Sequence, residues 1–205
     1  MTAVSVMSFN IAIGGDVVDL RKVADAIEAA GADVVGIQEA CGNLPAVATM
    51  LGWPNYDEPR QILSRYPLAA TEGDTAFVLV EPERAFAVAN VHLPANPYGP
   101  YVLRDGASID EVEAMERTTR LADLERRIPA WTSIMGLPMP LIVTGDFNAP
   151  SHVDWGSDKG EPSLSNTTAA TSTVRSEIVS NATHRVWRRR GPLCSGGLRT
   201  APRPL

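Results

Sequence analysis

Hydrophobic and polar positions alternate in some stretches of this chain and recur every three to four residues in others, and the switches between the two periods mark out its elements. VSVMSFNI, residues 4–11, is β-rich and partly alternating, so it predicts a strand whose end carries Asn10 toward the Gly14–Gly15 turn. Asp16 can cap a following helix in which Leu20, Val23, Ala24 and Ile27 share one face, with Gly31 as its stop. DVVGIQE, residues 33–39, is a short apolar run that predicts a buried strand delivering Gln38 and Glu39 to a sheet edge. A second helix is expected from Leu44 to Leu51. From Trp53 to Leu93 the β-rich runs RQILSRYPL, TAFVLVE and AFAVANVHL give three consecutive strands as the simplest expectation. Ser108 and Glu111 form a capping box, and Ile109, Val112, Leu121, Leu124 and Ile128 then fall near one helical face. After Pro138 and Pro140, LIVTGDFN predicts an apolar strand that ends abruptly in polar residues.

The fold class is therefore α/β (α+β), a sandwich of sheets with helices outside, and its polar residues gather at strand ends: Asn10, Glu39, His92, Asp146 and Asn148. A metal-dependent phosphoryl site needs this set. One carboxylate holds a hard divalent cation, a second orients or deprotonates the attacking water, and neutral amides and an imidazole hold phosphate oxygens. Each residue also has a plainer reading taken singly. Asn10 can be a turn residue, Glu39 a solvated strand end, His92 a satisfied core histidine, and Gly145-Asp146-Phe147-Asn148 a turn. Those plain readings would all have to coincide.

Composition narrows the setting. The 205 residues suffice for one substantial core, contain no run of 18 apolar residues, and open without a basic n-region or cleavage site, so a cytoplasmic protein without a transmembrane segment is expected. Cys41 and Cys194 are too few for a disulfide framework and lack the CxxC spacing that would hold zinc. Charge is uneven. Residues 1–155 hold 10 basic and 21 acidic side chains, a balance of −11, whereas residues 156–205 hold 8 and 3, a balance of +5. The second stretch is expected to be a poorly ordered basic tail, and its arginines a solvated run rather than a nucleic-acid arm.

MSFNI, GIQE, ILSRYPL, NVHLP and GDFNAPSH, in this order and at these separations, resemble the endonuclease/exonuclease/phosphatase superfamily. The resemblance implies a four-layer α/β sandwich of two mixed sheets and a hydrolase of phosphoric esters working with Mg²⁺ or Mn²⁺. It also implies roles: Asn10 beside the metal and the scissile phosphate, Glu39 as the main metal ligand, His92 bonding a phosphate oxygen, Asp146 orienting the nucleophilic water, and Asn148 holding the transition state. Arg65 and His152 lie in similar strings, but a surface arginine and a loop histidine explain them as well, and they are left off this set.

The chain also departs from that pattern. Members of the superfamily close with an Asp-His pair on a last strand, and no Asp-His dipeptide occurs in this sequence. The expectation is an endonuclease/exonuclease/phosphatase-like domain over 1–155, truncated and with its second sheet incomplete. Natural divergence and a truncation or frame shift after Trp155 both stand as explanations, and the Arg, Gly and Pro bias from about residue 184 favours the second. Impaired activity and poor solubility follow, since a general acid/base contributes about 100- to 10,000-fold and an uncovered sheet invites association. A non-catalytic remnant or binding module on the same fold is the alternative. The −11 balance, with Lys22 as the one lysine before residue 156, favours a small phosphate ester or lipid headgroup over duplex DNA, and no stable nucleic-acid complex is expected. The segment PANPYGPYVLRDGAS is the expected substrate-shaping loop.

Overall fold

A computed structural model describes residues 3–70 and 73–150. The first alternating run forms β1 (Val6–Asn10), which pairs in parallel with β2 (Val34–Gln38). Between them lie a 3-10 turn at Ile13–Gly15 and helix α1 (Leu20–Ala29). Helix α2 (Leu44–Leu51), as expected, follows β2 and leads to β3 (Asn55–Asp57) and β4 (Ile62–Ser64), giving a first sheet of order β1-β2-β4-β3. The second sheet runs β5-β6-β7-β8, from Leu68–Ala70, Thr75–Glu81, Arg84–His92 and Leu141–Asp146. In it β7 and β8 are parallel and the other pairs antiparallel.

Two cores follow from the period-2 alternation of the strands. Val35, Ile37 and Leu63 point outward and are covered by Val23, Ala24 and Ile27 of α1 and Leu44, Val47 and Ala48 of α2. Burying a side chain the size of Val23 or Ile27 contributes roughly 1.5–3 kcal/mol. Val34 and Ile62 point the other way and meet Ala76, Val78, Phe86 and Val88 between the sheets. The two mixed sheets with helices outside are the expected sandwich.

Several local expectations are corrected. The α1 cap is Asp19, whose carboxylate accepts from the Arg21 N–H at 2.9 Å, because Asp16 is already used to end the 3-10 turn. The run RQILSRYPL is not one strand. It splits into β4 and β5, which lie in different sheets, and Pro67, which has no N–H for a ladder, sits between them. Strand β3 carried too little hydrophobic alternation to be anticipated.

The capping box at Ser108 and Glu111 is present, but the helix it opens is not α-helical throughout. Helix α3 (Gly99–Arg104) precedes α4 (Ile109–Glu116), a π-helical segment spans Arg117–Leu121, and α5 (Ala122–Met135) follows. A wider π turn rotates the faces that follow it relative to an unbroken helix. Ile109, Leu121 and Ile128, expected on the inner face, are exposed, whereas Arg120 is buried. Among the described residues no helix is long and apolar enough to cross a membrane. The basic tail, His152 and any strand after β8 fall outside the described residues.

Candidate functional site

The positions facing the inter-sheet layer change character along each strand. They read Val6, Ser8, Asn10 on β1; Val34, Gly36, Gln38 on β2; Phe86, Val88, Asn90, His92 on β7; and Ile142, Thr144, Asp146 on β8. Because β1 and β2 are parallel, as are β7 and β8, the polar ends coincide. Asn10 pairs with Gln38, and His92 with Asp146, at the last rungs of their ladders.

Asn10 Nδ2 donates to Glu39 Oε1 at 3.0 Å and to Asp146 Oδ2 at 2.9 Å, so two carboxylates from different sheets face one amide nitrogen. The orientation of that amide is fixed by its oxygen, which accepts from the Ala12 N–H at 2.9 Å. His92 Nε2 stands 3.8 Å from Glu39 Oε1 and 3.9 Å from Asp146 Oδ2, too long for a hydrogen bond but within reach across a small bridging group. Asn148 closes the group: its backbone N–H donates to Asp146 Oδ1 at 2.9 Å and its amide donates to the Leu93 carbonyl at 2.8 Å. All five residues singled out in the sequence thus meet at one end of the sandwich.

Glu39 sits just past β2 with φ of 58°, a left-handed conformation that costs a non-glycine residue about 1–2 kcal/mol. Two bonds hold it there: its carbonyl accepts from the Gly14 N–H at 2.7 Å, and its Oε2 from the Ile13 N–H at 2.8 Å. Ala12 and Ile13 also have positive φ, and Asn43 Nδ2 ties the Gly14 carbonyl at 2.7 Å. Strain is concentrated where the carboxylate is aimed.

Directly beneath lies a buried polar layer that local sequence patterns did not reveal. Gln38 Nε2 donates to Asn90 Oδ1 at 2.7 Å, and Asn90 Nδ2 donates to the Ile37 carbonyl at 2.7 Å and the Arg60 carbonyl at 2.9 Å. Thr144 Oγ1 donates to the Ala89 carbonyl at 3.1 Å and lies 3.1 Å from Asn90 Oδ1, while Ser8 Oγ accepts from the Gly145 N–H at 2.9 Å, stitching β1 to β8. The layer needs Gly36, where an added Cβ would stand 2.1 Å from Thr144 Oγ1. Each member lies two residues before a site residue on its own strand, or one before in the case of Gln38. The signal was the same alternation that located the site, read one step further in.

The sequence matches the Endonuclease/Exonuclease/phosphatase family over residues 7–204. The chain belongs to that family. One relative, the Caenorhabditis elegans "Uncharacterized protein F14F9.5", is 30% identical over 182 residues, which cover 74% of this chain and 55% of the relative. The chain thus spans about half the length of the curated relative it matches. No solved structure gives a significant match.

In this endonuclease/exonuclease/phosphatase chain the site fits a hard divalent cation by its donor chemistry. Among the described residues no three His, Cys, Asp or Glu side chains close around a point as a cage. Two half-exposed carboxylates do converge, however, and Mg²⁺ is commonly held by one or two carboxylates, with water and substrate phosphate completing its shell. The Asn10 oxygen spends one of its two lone pairs on the Ala12 N–H and keeps the other for an ion or its water. Arg65 has a structural role: it stacks over Trp53 with 4.7 Å to the ring centroid and lies 3.5 Å from Asp33. A cavity of about 970 Å³ lies at the opposite end, among Val4, Val6, Phe86 and Ile142, remote from this chemistry.

Proposed function

We propose that the protein hydrolyses phosphoric esters with Mg²⁺ or Mn²⁺, as a phosphodiesterase, phosphatase or nuclease-type enzyme, water attacking phosphorus opposite the leaving alkoxide. The supporting observation is the convergence of the Glu39 and Asp146 carboxylates on Asn10, with His92 beside both. A bound ion supplies Lewis acidity toward a phosphoryl oxygen and a more acidic water. Glu39 would hold it, pre-aimed by the Ile13 N–H, with Asn10 alongside serving metal or phosphate. Asp146, positioned by the Asn148 N–H, would orient the attacking water and accept its proton. His92 would bond a phosphate oxygen. Asn148, whose amide spends one of two N–H groups on Leu93, would offer the other to the charge that grows in the transition state.

A small phosphate ester or a lipid headgroup suits the site better than duplex DNA. Within the described residues Arg60, Arg104, Arg120 and Arg127 each stand within ion-pair distance of an acid, and the motif-bearing part is strongly acidic. Turnover should be slow, because the sequence contains no Asp-His dipeptide of the kind with which the family closes to supply acid and base. That same absence favours one second reading, a non-catalytic module on this fold.

Hydrolysis of bis(p-nitrophenyl) phosphate with and without Mg²⁺ separates the two. The expected result is weak, metal-dependent release of nitrophenol that drops at least about 100-fold in Glu39→Gln and Asp146→Asn. Activity that survives both substitutions would remove the site assignment, and ligand binding without any turnover would leave the second reading.

A further inference from the structure

Arg120 lies in the π-helical segment and, although charged, is only 3% exposed. Its Nη1 donates to Glu116 at 2.8 Å, and its Nη2 donates to the carbonyls of Pro97 at 2.7 Å and Ala95 at 3.3 Å, while its Nε has no partner among the described residues. An ion pair with Glu116 alone could form at the helix surface, as i, i+4 pairs do. Burial gives the planar guanidinium access to two carbonyls of one loop.

That loop leaves the proposed site directly. Leu93 follows His92, and its backbone is clamped on both sides: its N–H donates to the Asp146 carbonyl at 2.9 Å, and its carbonyl accepts from Asn148. Residues 93–98 therefore connect the Arg120 grip to three of the five site residues. We propose that Arg120 is a positioning residue for the phosphate-ester site, pinning the 93–98 segment so that His92 and Asn148 keep their places. This rests on the function proposed above.

The test compares the protein with Arg120→Lys and Arg120→Gln. Lysine keeps the charge for Glu116 but has no fork to span two carbonyls. In Arg120→Lys the thermal midpoint should stay within a few degrees, and amide exchange at Leu93, Ala95, Asn96 and Tyr98 should rise while β2 is unchanged. Mg²⁺-dependent kcat on bis(p-nitrophenyl) phosphate should fall roughly 10- to 100-fold at nearly constant KM. Arg120→Gln should show the same pattern more strongly. Wild-type exchange and kcat in Arg120→Lys would overturn the proposal, as would uniform loosening of the whole sandwich. If the unsubstituted protein shows no metal-dependent turnover, the phosphohydrolase reading fails. The exchange data then still decide whether Arg120 fixes the segment between His92 and Tyr98.

Discussion

At one end of the inter-sheet layer Val6, Phe86 and Ile142 line the apolar side of a cavity rimmed by Glu81, Glu83 and Arg84; at the other, on the same three strands, Asn10, His92 and Asp146 face one another across the gap. Only one or two inward-facing residues separate the ends on each strand. The difference lies in how tightly each end is specified. Apolar contacts are non-directional and tolerate exchange of one aliphatic side chain for another. The polar end is a connected hydrogen-bond network in which each buried donor or acceptor depends on a particular partner. The fold thus places a forgiving packing layer and an exacting chemical layer on the same strands.

Three measurements can break or sharpen that contrast. The largest effect is expected within β8: Asp146→Asn should reduce metal-dependent hydrolysis at least about 100-fold with little change in stability. Ile142→Val, two pleats away, should leave the rate unchanged; a comparable loss in both would erase the distinction between the ends. Second, Asn90→Leu should destabilise the protein by about 2–4 kcal/mol in denaturant titration, because Gln38 and the Ile37 and Arg60 carbonyls lose their partner in a buried layer. Third, Ile142→Val itself should cost about 0.5–1.5 kcal/mol or less, the site lying partly open beside the cavity. An effect of Ile142→Val as large as that of Asn90→Leu would mean that the apolar end is as specific as the polar one.

The smallest effect concerns pH and lies away from both ends. The Ser108 N–H and hydroxyl donate to Glu111 and hold its carboxyl below the usual 4.5. A carboxyl depressed in the folded state stabilises above its unfolded value, and that stabilisation is lost as pH falls through the folded value. Amide protection in the first turn of α4, taken relative to the intrinsic exchange rate at each pH, should fall below about pH 4 and stay constant near neutrality. In Glu111→Gln this dependence should vanish.

Much of the site was legible because strands expose their faces with a period of two. Asn10, His92 and Asp146 end apolar alternations, and Glu39 and Asn148 follow such ends, so one rule found all five. Other features depended on forces that no local period carries. The left-handed backbone of Glu39 is imposed by Gly14 and Ile13 from another loop. The sheet change between Ser64 and Leu68 depends on which sheet each half finds, not on the hydrophobicity of ILSRYPL. Arg120 falls within the helical face marked by Ile109, Val112 and Leu124, but a period cannot tell that a charged residue there is buried against the carbonyls of a distant loop. Asp16 and Asp19 are equally good caps by residue type, and only the intervening 3-10 turn chooses between them.

Binding of Mn²⁺, followed by electron paramagnetic resonance in the protein and in Glu39→Gln, tests the central claim without relying on turnover. One ion per chain should bind to the unsubstituted protein and be lost or strongly weakened in the variant, at an unchanged unfolding midpoint. Equal binding in the two proteins, or none in either, would contradict a metal-dependent site built on Glu39 and Asp146.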